Sequence, residues 1–435
     1  MMQLLSSRIV CRFHNFQVTL IMTEWDFFDN QQEYHPIIDA DNLYEGFKAA
    51  RKGSSWKGQV QSFRWNVLEE IGKLQKELLL FYQNKPGGYQ PREYSKFMVL
   101  ERGKTRAITA LKMRDRVVKH VLNDLYLIPH IRPHLIYDNG ASLKGKGVSF
   151  SRGRLVAHLE KFYRETGGNE GYIMIMDFSG YYDNIDHDEA MQMINQYEPD
   201  EFARRLTEQA YDSYKVDVSY MSDKEYETAL HTKFSMVEYR KAGHDNPKNG
   251  EPKREKFLRR SLSVGDQTSQ ITAVAFTTPI DKLITIVNSF NHYGRYMDDL
   301  FVIAKTREEL NELRIKIENE AKRMKLFLNP RKTKILKISK TFTFMQYKYY
   351  LRENGHVVVR INPKTITRMR RRLKRLKARV DNGLMRFSKV EEMFRAWIAN
   401  YCYMTSNKQR AQLIDLYRNL YEGSLDSWLK MRHIA

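Results

Sequence analysis

Asp298 and Asp299 stand side by side between Tyr296-Met297 and the apolar run Leu300-Phe301-Val302-Ile303-Ala304. Strand-forming residues on both sides of two acids predict a β-hairpin with the carboxylates at its tip. Adjacent carboxylates repel unless positive charge lies beside them, so a divalent cation is the natural counter-ion. Mg²⁺ takes hard oxygen ligands and completes its shell with water and substrate phosphates, which suits an exposed Asp pair to phosphoryl transfer. Taken alone, Asp-Asp also fits a solvated turn. A second carboxylate shifts that balance. The buried-strand run Tyr172-Ile173-Met174-Ile175-Met176 delivers Asp177 at its C-terminal end, followed by Phe178-Ser179-Gly180-Tyr181-Tyr182-Asp183. Two strands ending in carboxylates can build a two-metal site.

The Tyr-Met-Asp-Asp of residues 296–299, together with Asp177 and an aromatic five positions after it, resembles the palm of reverse transcriptases. The segments Asp115-Arg116-Val117-Val118-Lys119-His120 and Gly265-Asp266-Gln267-Thr268-Ser269-Gln270 resemble those of bacterial and phage non-LTR-type enzymes, of diversity-generating retroelements, retrons and abortive-infection or other defence systems. The resemblance implies an α+β right-hand polymerase with fingers, a palm on an antiparallel sheet and a helical thumb. It implies that Asp177, Asp298 and Asp299, with Phe178 beside them, hold two Mg²⁺ ions, for which Mn²⁺ could substitute. One ion would help a primer 3′-hydroxyl attack the α-phosphate and the other would stabilise pyrophosphate.

Further positions follow from the same resemblance. Tyr182 is the gate that rejects a ribose 2′-hydroxyl and so favours dNTPs. Lys104 and Arg106, near the tip of a hairpin predicted from 97–100 and 107–110, would lie on the incoming triphosphate. Gly265 and Gln267 belong to a Gly-turn, Leu262 to Gln270, that supports the nascent base pair. Lys332, within Leu328-Asn329-Pro330-Arg331-Lys332-Thr333-Lys334, would act as general acid towards pyrophosphate. Tyr296, Met297 and Tyr347 would touch nucleic acid, the last from a primer-grip-like Phe344-Met345-Gln346-Tyr347 that lacks the usual glycine.

Composition supports a polyanionic partner independently. The 435-residue chain carries 73 Lys and Arg against 52 acids, a net charge of +21. A hydrophobic share of 42% fits folded lobes rather than disorder. Only Cys11 and Cys402 occur, which excludes a disulfide framework and fits a reducing cytoplasm. No apolar run is long enough to span a membrane.

The elements that must position these residues are legible in outline. Residues 1–35 read as a leader without a signal-peptide core, 36–170 as fingers, 171–358 as palm and 359–435 as thumb. Phe63, Val67, Ile71, Leu74 and Leu78 follow helical spacing. Asn139 to Gly147 matches a Walker loop superficially, but Gly147 stands where Ser or Thr would reach Mg²⁺. Lys144 and Lys146 there read either as backbone-phosphate contacts or as part of a plain connector. Residues 195–260 read as a polar segment inserted in the palm, with 241–256 an exposed loop, and Pro279 lies inside the apolar helix that follows.

In the tail, 360–386 holds eleven Lys or Arg against one acid, with Ile366, Met369, Leu373, Leu376 and Val380 at helical spacing. That pattern predicts a helix with one buried stripe and a cationic remainder, where Arg368, Arg371, Arg372 and Arg375 would meet duplex. The reading is an RNA-directed DNA polymerase acting on an RNA template and DNA primer with dNTPs, in concert with a structured non-coding RNA. Its rivals are a template-independent DNA polymerase and, from another class, a nucleic-acid-binding scaffold with a silent palm.

Overall fold

The computed structural model describes residues 34–101, 103–244, 255–401 and 404–421, and a short ladder pairing 12–13 with 16–17. The leader reading for 1–35 therefore falls almost wholly outside the described residues, as do Cys11, Cys402 and the middle of the 241–256 loop.

At the centre is a four-stranded antiparallel sheet, in which Tyr172–Met176 is flanked by Lys334–Lys337 and Asp299–Ala304, with Tyr293–Tyr296 outermost. Alternate side chains of a strand leave opposite faces, and both faces here are covered. Met174, Met176, Leu300 and Val302 pack against Leu310, Leu313 and Ile317 of the helix Arg307–Arg323. Ile173, Phe301 and Ile303 pack the other way, on Leu155, Leu159 and Phe162 of the helix Val148–Thr166. A second sheet, Phe342–Phe344, Tyr347–Leu351 and Val357–Ile361, closes that side.

Helices Ala40–Ala50, Val67–Tyr82 and Met113–Leu122 form a separate core through Leu43, Phe47, Leu74, Leu78, Val117 and Val121. From it projects the hairpin Ser95–Glu101 and Lys104–Ala110, with Glu101 opposite Lys104. The turn is tighter than the sequence suggests: Lys104 and Arg106 lie in the second strand rather than at the tip. The first strand is exposed along its whole length, including Phe97, Met98, Val99 and Leu100, and among the described residues its ladder is with the second strand alone.

Two expectations need correction. The insertion does not begin at 195: the helices His187–Tyr197 and Glu201–Asp212 bury Ile194, Phe202, Ala203 and Leu206 in the N-terminal core. The inserted unit starts at about 213 and has its own small core of Val216, Val218, Tyr239 and Leu258, built on a ladder between 216–217 and 257–258. Pro279 does not interrupt a helix interior. One helix ends at Phe276 and the next, Thr278–Lys282, begins with Pro279 in its first turn, where the missing N–H costs nothing.

The C-terminal region is a helical unit, Pro363–Asp381, Phe387–Tyr401 and Asn407–Tyr421, packed through Met369, Leu373, Phe394 and Tyr417. Asn362 caps the first helix, and Gly383, at φ +70°, follows its end.

Candidate active site

Register decides where the acids fall. Met176 pairs with Leu300 in the antiparallel ladder. The next residue of one strand, Asp177, therefore comes beside the preceding residue of the other, Asp299. Asp298 occupies the turn between Tyr293–Tyr296 and Asp299–Ala304, after Met297 in the left-handed region at φ +54°.

Asp177 is almost fully buried, and it is held from the segment that follows the helix Arg307–Arg323. Asn329 Nδ2 donates to its Oδ1 at 3.3 Å, Lys332 Nζ donates to its Oδ2 at 2.5 Å, and Asn329 N–H donates to its carbonyl at 2.8 Å. Phe178 forms a bridge with Leu328 in the same segment. Burial, then Asp298 and Asp177, push the Asp299 carboxyl up to about 7. Asp298 is raised by burial and by Asp177. Burial opposes the charge on Lys332, yet Asp177, Asp299 and Asp298 together hold its ammonium above the ordinary value.

The turn is locked from beneath by a residue the sequence reading passed over. Arg295 is fully buried and grips Asp281 with two bonds, Nε to Oδ1 at 2.9 Å and Nη2 to Oδ2 at 2.6 Å. Its remaining donors reach the carbonyls of Val274, at 2.9 Å, and Met297, at 3.2 Å. Burial alone would lower the guanidinium, but the facing carboxylate outweighs it and raises it. One buried cation thus fixes the backbone on which Asp298 is mounted. An Arg inside a strand-like run beside two acids is the only trace of this in the sequence.

The remaining candidates fall around this centre at different places. Tyr182 is half-buried beside Tyr181, near enough for Asp298 to act on its hydroxyl electrostatically, whereas Tyr181 is buried and donates to the Ala273 carbonyl at 2.6 Å. Lys104 is exposed and lowers the Asp298 carboxyl, and Arg106 pairs with Glu101 at 2.9 Å. Gly265, at φ +108°, and Gln267 line a cleft of about 330 Å³ shared with Arg116, Lys119 and His120. Lys146 donates to the Tyr137 carbonyl at 2.5 Å and lies over the Tyr137 and Phe150 rings, while Lys144 is exposed. Tyr296 and Met297 are half-buried at the turn.

Tyr347 departs from the expectation of a nucleic-acid contact: it is 7% exposed, with Arg152 over its ring. The open part of that hairpin is the turn Met345-Gln346, both in the left-handed region. Arg368, Arg371, Arg372 and Arg375 all lie on the exposed face of their helix.

The chain matches, over residues 85–349, the family described as reverse transcriptase (RNA-dependent DNA polymerase). The chain belongs to that family. Its fold is that of a right-hand polymerase, and RNA-dependent DNA polymerase is the activity by which the family is described. Among solved structures it is similar to apo telomerase from Candida tropicalis truncated from its C-terminal domain, with a TM-score of 0.38 and 13% identity over 61% of this chain and 54% of that one. The reverse transcriptase thus spans about half the length of that relative. No curated protein matches it.

Reverse transcriptase domains use divalent metal ions, and the donor set here has the right chemistry: three hard carboxylates, two of them raised by burial and then by their carboxylate neighbours. With Lys332 seated on Asp177, no three His, Cys, Asp or Glu side chains converge as ligands of one ion among the described residues. None of the described helices is long and apolar enough to cross a membrane.

Proposed function

We propose that this reverse transcriptase extends a DNA primer on an RNA template, with Asp177, Asp298 and Asp299 as ligands of two Mg²⁺ ions and fingers, palm and thumb over 36–170, 171–358 and 359–435. The observation that carries the reading is the ladder register that brings Asp177 beside Asp299, with Asp298 at the adjoining turn. The ions, when bound, would supply charge neutralisation at the α-phosphate and activation of the 3′-hydroxyl. Lys332 keeps its proton in this acidic setting and can give it to the leaving pyrophosphate. Lys104, exposed and without an ion pair among the described residues, is suited to the triphosphate.

The test is primer extension in Mg²⁺ on RNA, on DNA and without template, with dNTPs or NTPs. DNA complementary to the RNA is the expected product. Equal extension without template would replace this reading with untemplated synthesis, and extension with NTPs alone would remove the DNA-polymerase assignment.

Tyr182 as the sugar gate gives a sharper expectation. Tyr182→Ala raises NTP incorporation relative to dNTP by roughly ten- to a hundredfold, the range for removing a steric clash. Single-nucleotide kinetics with dATP and ATP measure it, and an unchanged ratio would remove Tyr182 from the gate.

The arginines of 363–381 fit phosphate contacts of a duplex. Replacing Arg371 and Arg375 by Ala lowers the slope of log affinity against log salt by about 1 per residue. Fluorescence anisotropy with a primer–template at several salt concentrations reads this directly; an unaltered slope would place the duplex elsewhere.

The excess of cations beyond the site, +21 in all, supports a structured non-coding RNA as template, primer or scaffold. The resemblance of 115–120 and 265–270 to bacterial enzymes supports a bacterial or phage retroelement or antiviral defence setting. Sequencing of RNA co-purified with the protein is expected to return one dominant species, and random host RNA would count against the partner.

A further inference from the structure

Insertions in a palm are ordinarily peripheral, but this one is fastened to the site at two ends. On the palm side, Asn184 pairs with the Phe234 backbone in both directions, its Oδ1 accepting from N–H at 2.7 Å and its Nδ2 donating to the carbonyl at 3.0 Å. Asp183 Oδ2 accepts from Met236 N–H at 3.2 Å, at the start of the insertion's helix Met236–Lys241. These contacts fall on the turn Gly180–Asn184 that carries Tyr182.

On the other side, Arg240 reaches the projecting hairpin. Its Nη1 donates to the Ile108 carbonyl at 2.6 Å and its Nη2 to Thr109 Oγ1 at 2.7 Å. The insertion therefore bridges the hairpin bearing Lys104 to the turn bearing Tyr182. Its base is anchored by Arg260, 4% exposed, which donates to the carbonyls of Leu230 and Thr232.

Between these anchors stands Lys233. Its Cε lies 3.6 Å from where a Cβ on Gly180 would be, and Gly180, at φ +59°, exposes its backbone to that approach. Lys104, Arg240 and Lys233 all act on Asp183, and Lys104 acts on Asp298 as well, so three cations gather about Asp183 and one of them also reaches the paired acids. Arg240 is committed to the hairpin, whereas Lys233 is exposed and makes no ion pair among the described residues. Two uncommitted ammonium groups from separate parts of the chain, both acting on Asp183 and one of them against the Gly180 turn, match a polyphosphate better than a solvated surface.

We propose that Lys233 is a nucleotide-binding residue which, together with Lys104, holds the β- and γ-phosphates of the incoming dNTP, with the insertion's segment 233–241 as one wall of the nucleotide pocket. Asn184 and Arg240 are positioning residues that keep this wall in place. The proposal rests on the site being a nucleotide pocket, as argued above.

Its test is calorimetric binding of dATP in Mg²⁺ to the full chain, carried out beside primer extension. Lys233→Ala is expected to weaken dATP binding about tenfold and to raise the KM for all four dNTPs alike, with Lys233→Arg restoring most of both. Arg240→Gln, which loosens the wall without removing a phosphate contact, is expected to raise KM while thermal melting shows the fold intact. Equal dATP affinity in the parent protein and Lys233→Ala would overturn the proposal. Binding by the parent protein without extension would sink the polymerase reading and leave this one standing, whereas no dATP binding at all would remove both.

Discussion

Asp298→Asn combined with Asp299→Asn is expected to lower primer extension by roughly three orders of magnitude or more, the scale for deleting transition-state charge stabilisation. The substitutions keep size and shape and remove two negative charges, so the loss would fall on metal binding rather than on packing. Stability should move the other way. Burial and Asp177 raise both carboxyls, Asp299 to about 7, so ionising them costs the folded state at neutral pH. A carboxyl raised on folding makes stability fall as pH rises from its unfolded value through its folded one, here from about 4 to about 7. The double variant should therefore melt no lower than the parent at pH 7.5, and above it in EDTA. Retained extension in a variant that melts normally would show that these acids are not the metal ligands.

Asp281→Ala is expected to lower the unfolding free energy by about 3–5 kcal/mol, because it leaves the Arg295 guanidinium buried with no counter-charge. Both partners are almost fully buried, and the pair is bidentate. Urea denaturation measures the change. Replacing both residues, Asp281→Leu with Arg295→Met, should recover much of the stability, since a well-packed apolar pair of similar volume often matches a buried ion pair. Activity should not recover with it, because the Met297 carbonyl then loses its donor and the acidic turn its anchor. An Asp281→Ala protein as stable as the parent would mean that water reaches Arg295.

Much of this was legible beforehand because it is local. The strand ending in Asp177, the paired acids in a hairpin turn and the amphipathic helix at 363–381 each follow from period and residue type. What was hidden depends on contacts far apart in sequence. Nothing in the order of residues says that Asp281 faces Arg295, or that Asn184 will pair with the backbone of Phe234 and so draw the insertion onto the turn that carries Tyr182. The insertion's start was misjudged because the helix at 201–212 is rich in charge along its outer face, which hides the buried Phe202, Ala203 and Leu206. Tyr347 looked available because an aromatic after a turn resembles a grip, yet the strand's alternation sends it inward.

The projecting hairpin also bears on how the protein behaves in concentrated solution. Among the described residues its first strand has a ladder partner on one side only, and it turns four apolar side chains, Phe97, Met98, Val99 and Leu100, to the outside. Such an edge invites strand addition by another copy. At low ionic strength the charge of +21 keeps copies apart, but the Debye length shortens from about 10 Å at 0.1 M salt to about 3 Å at 1 M. The high salt commonly used to strip nucleic acid from a basic protein would then remove the barrier that keeps this edge solitary, so the protein is better kept at moderate salt with its nucleic acid bound.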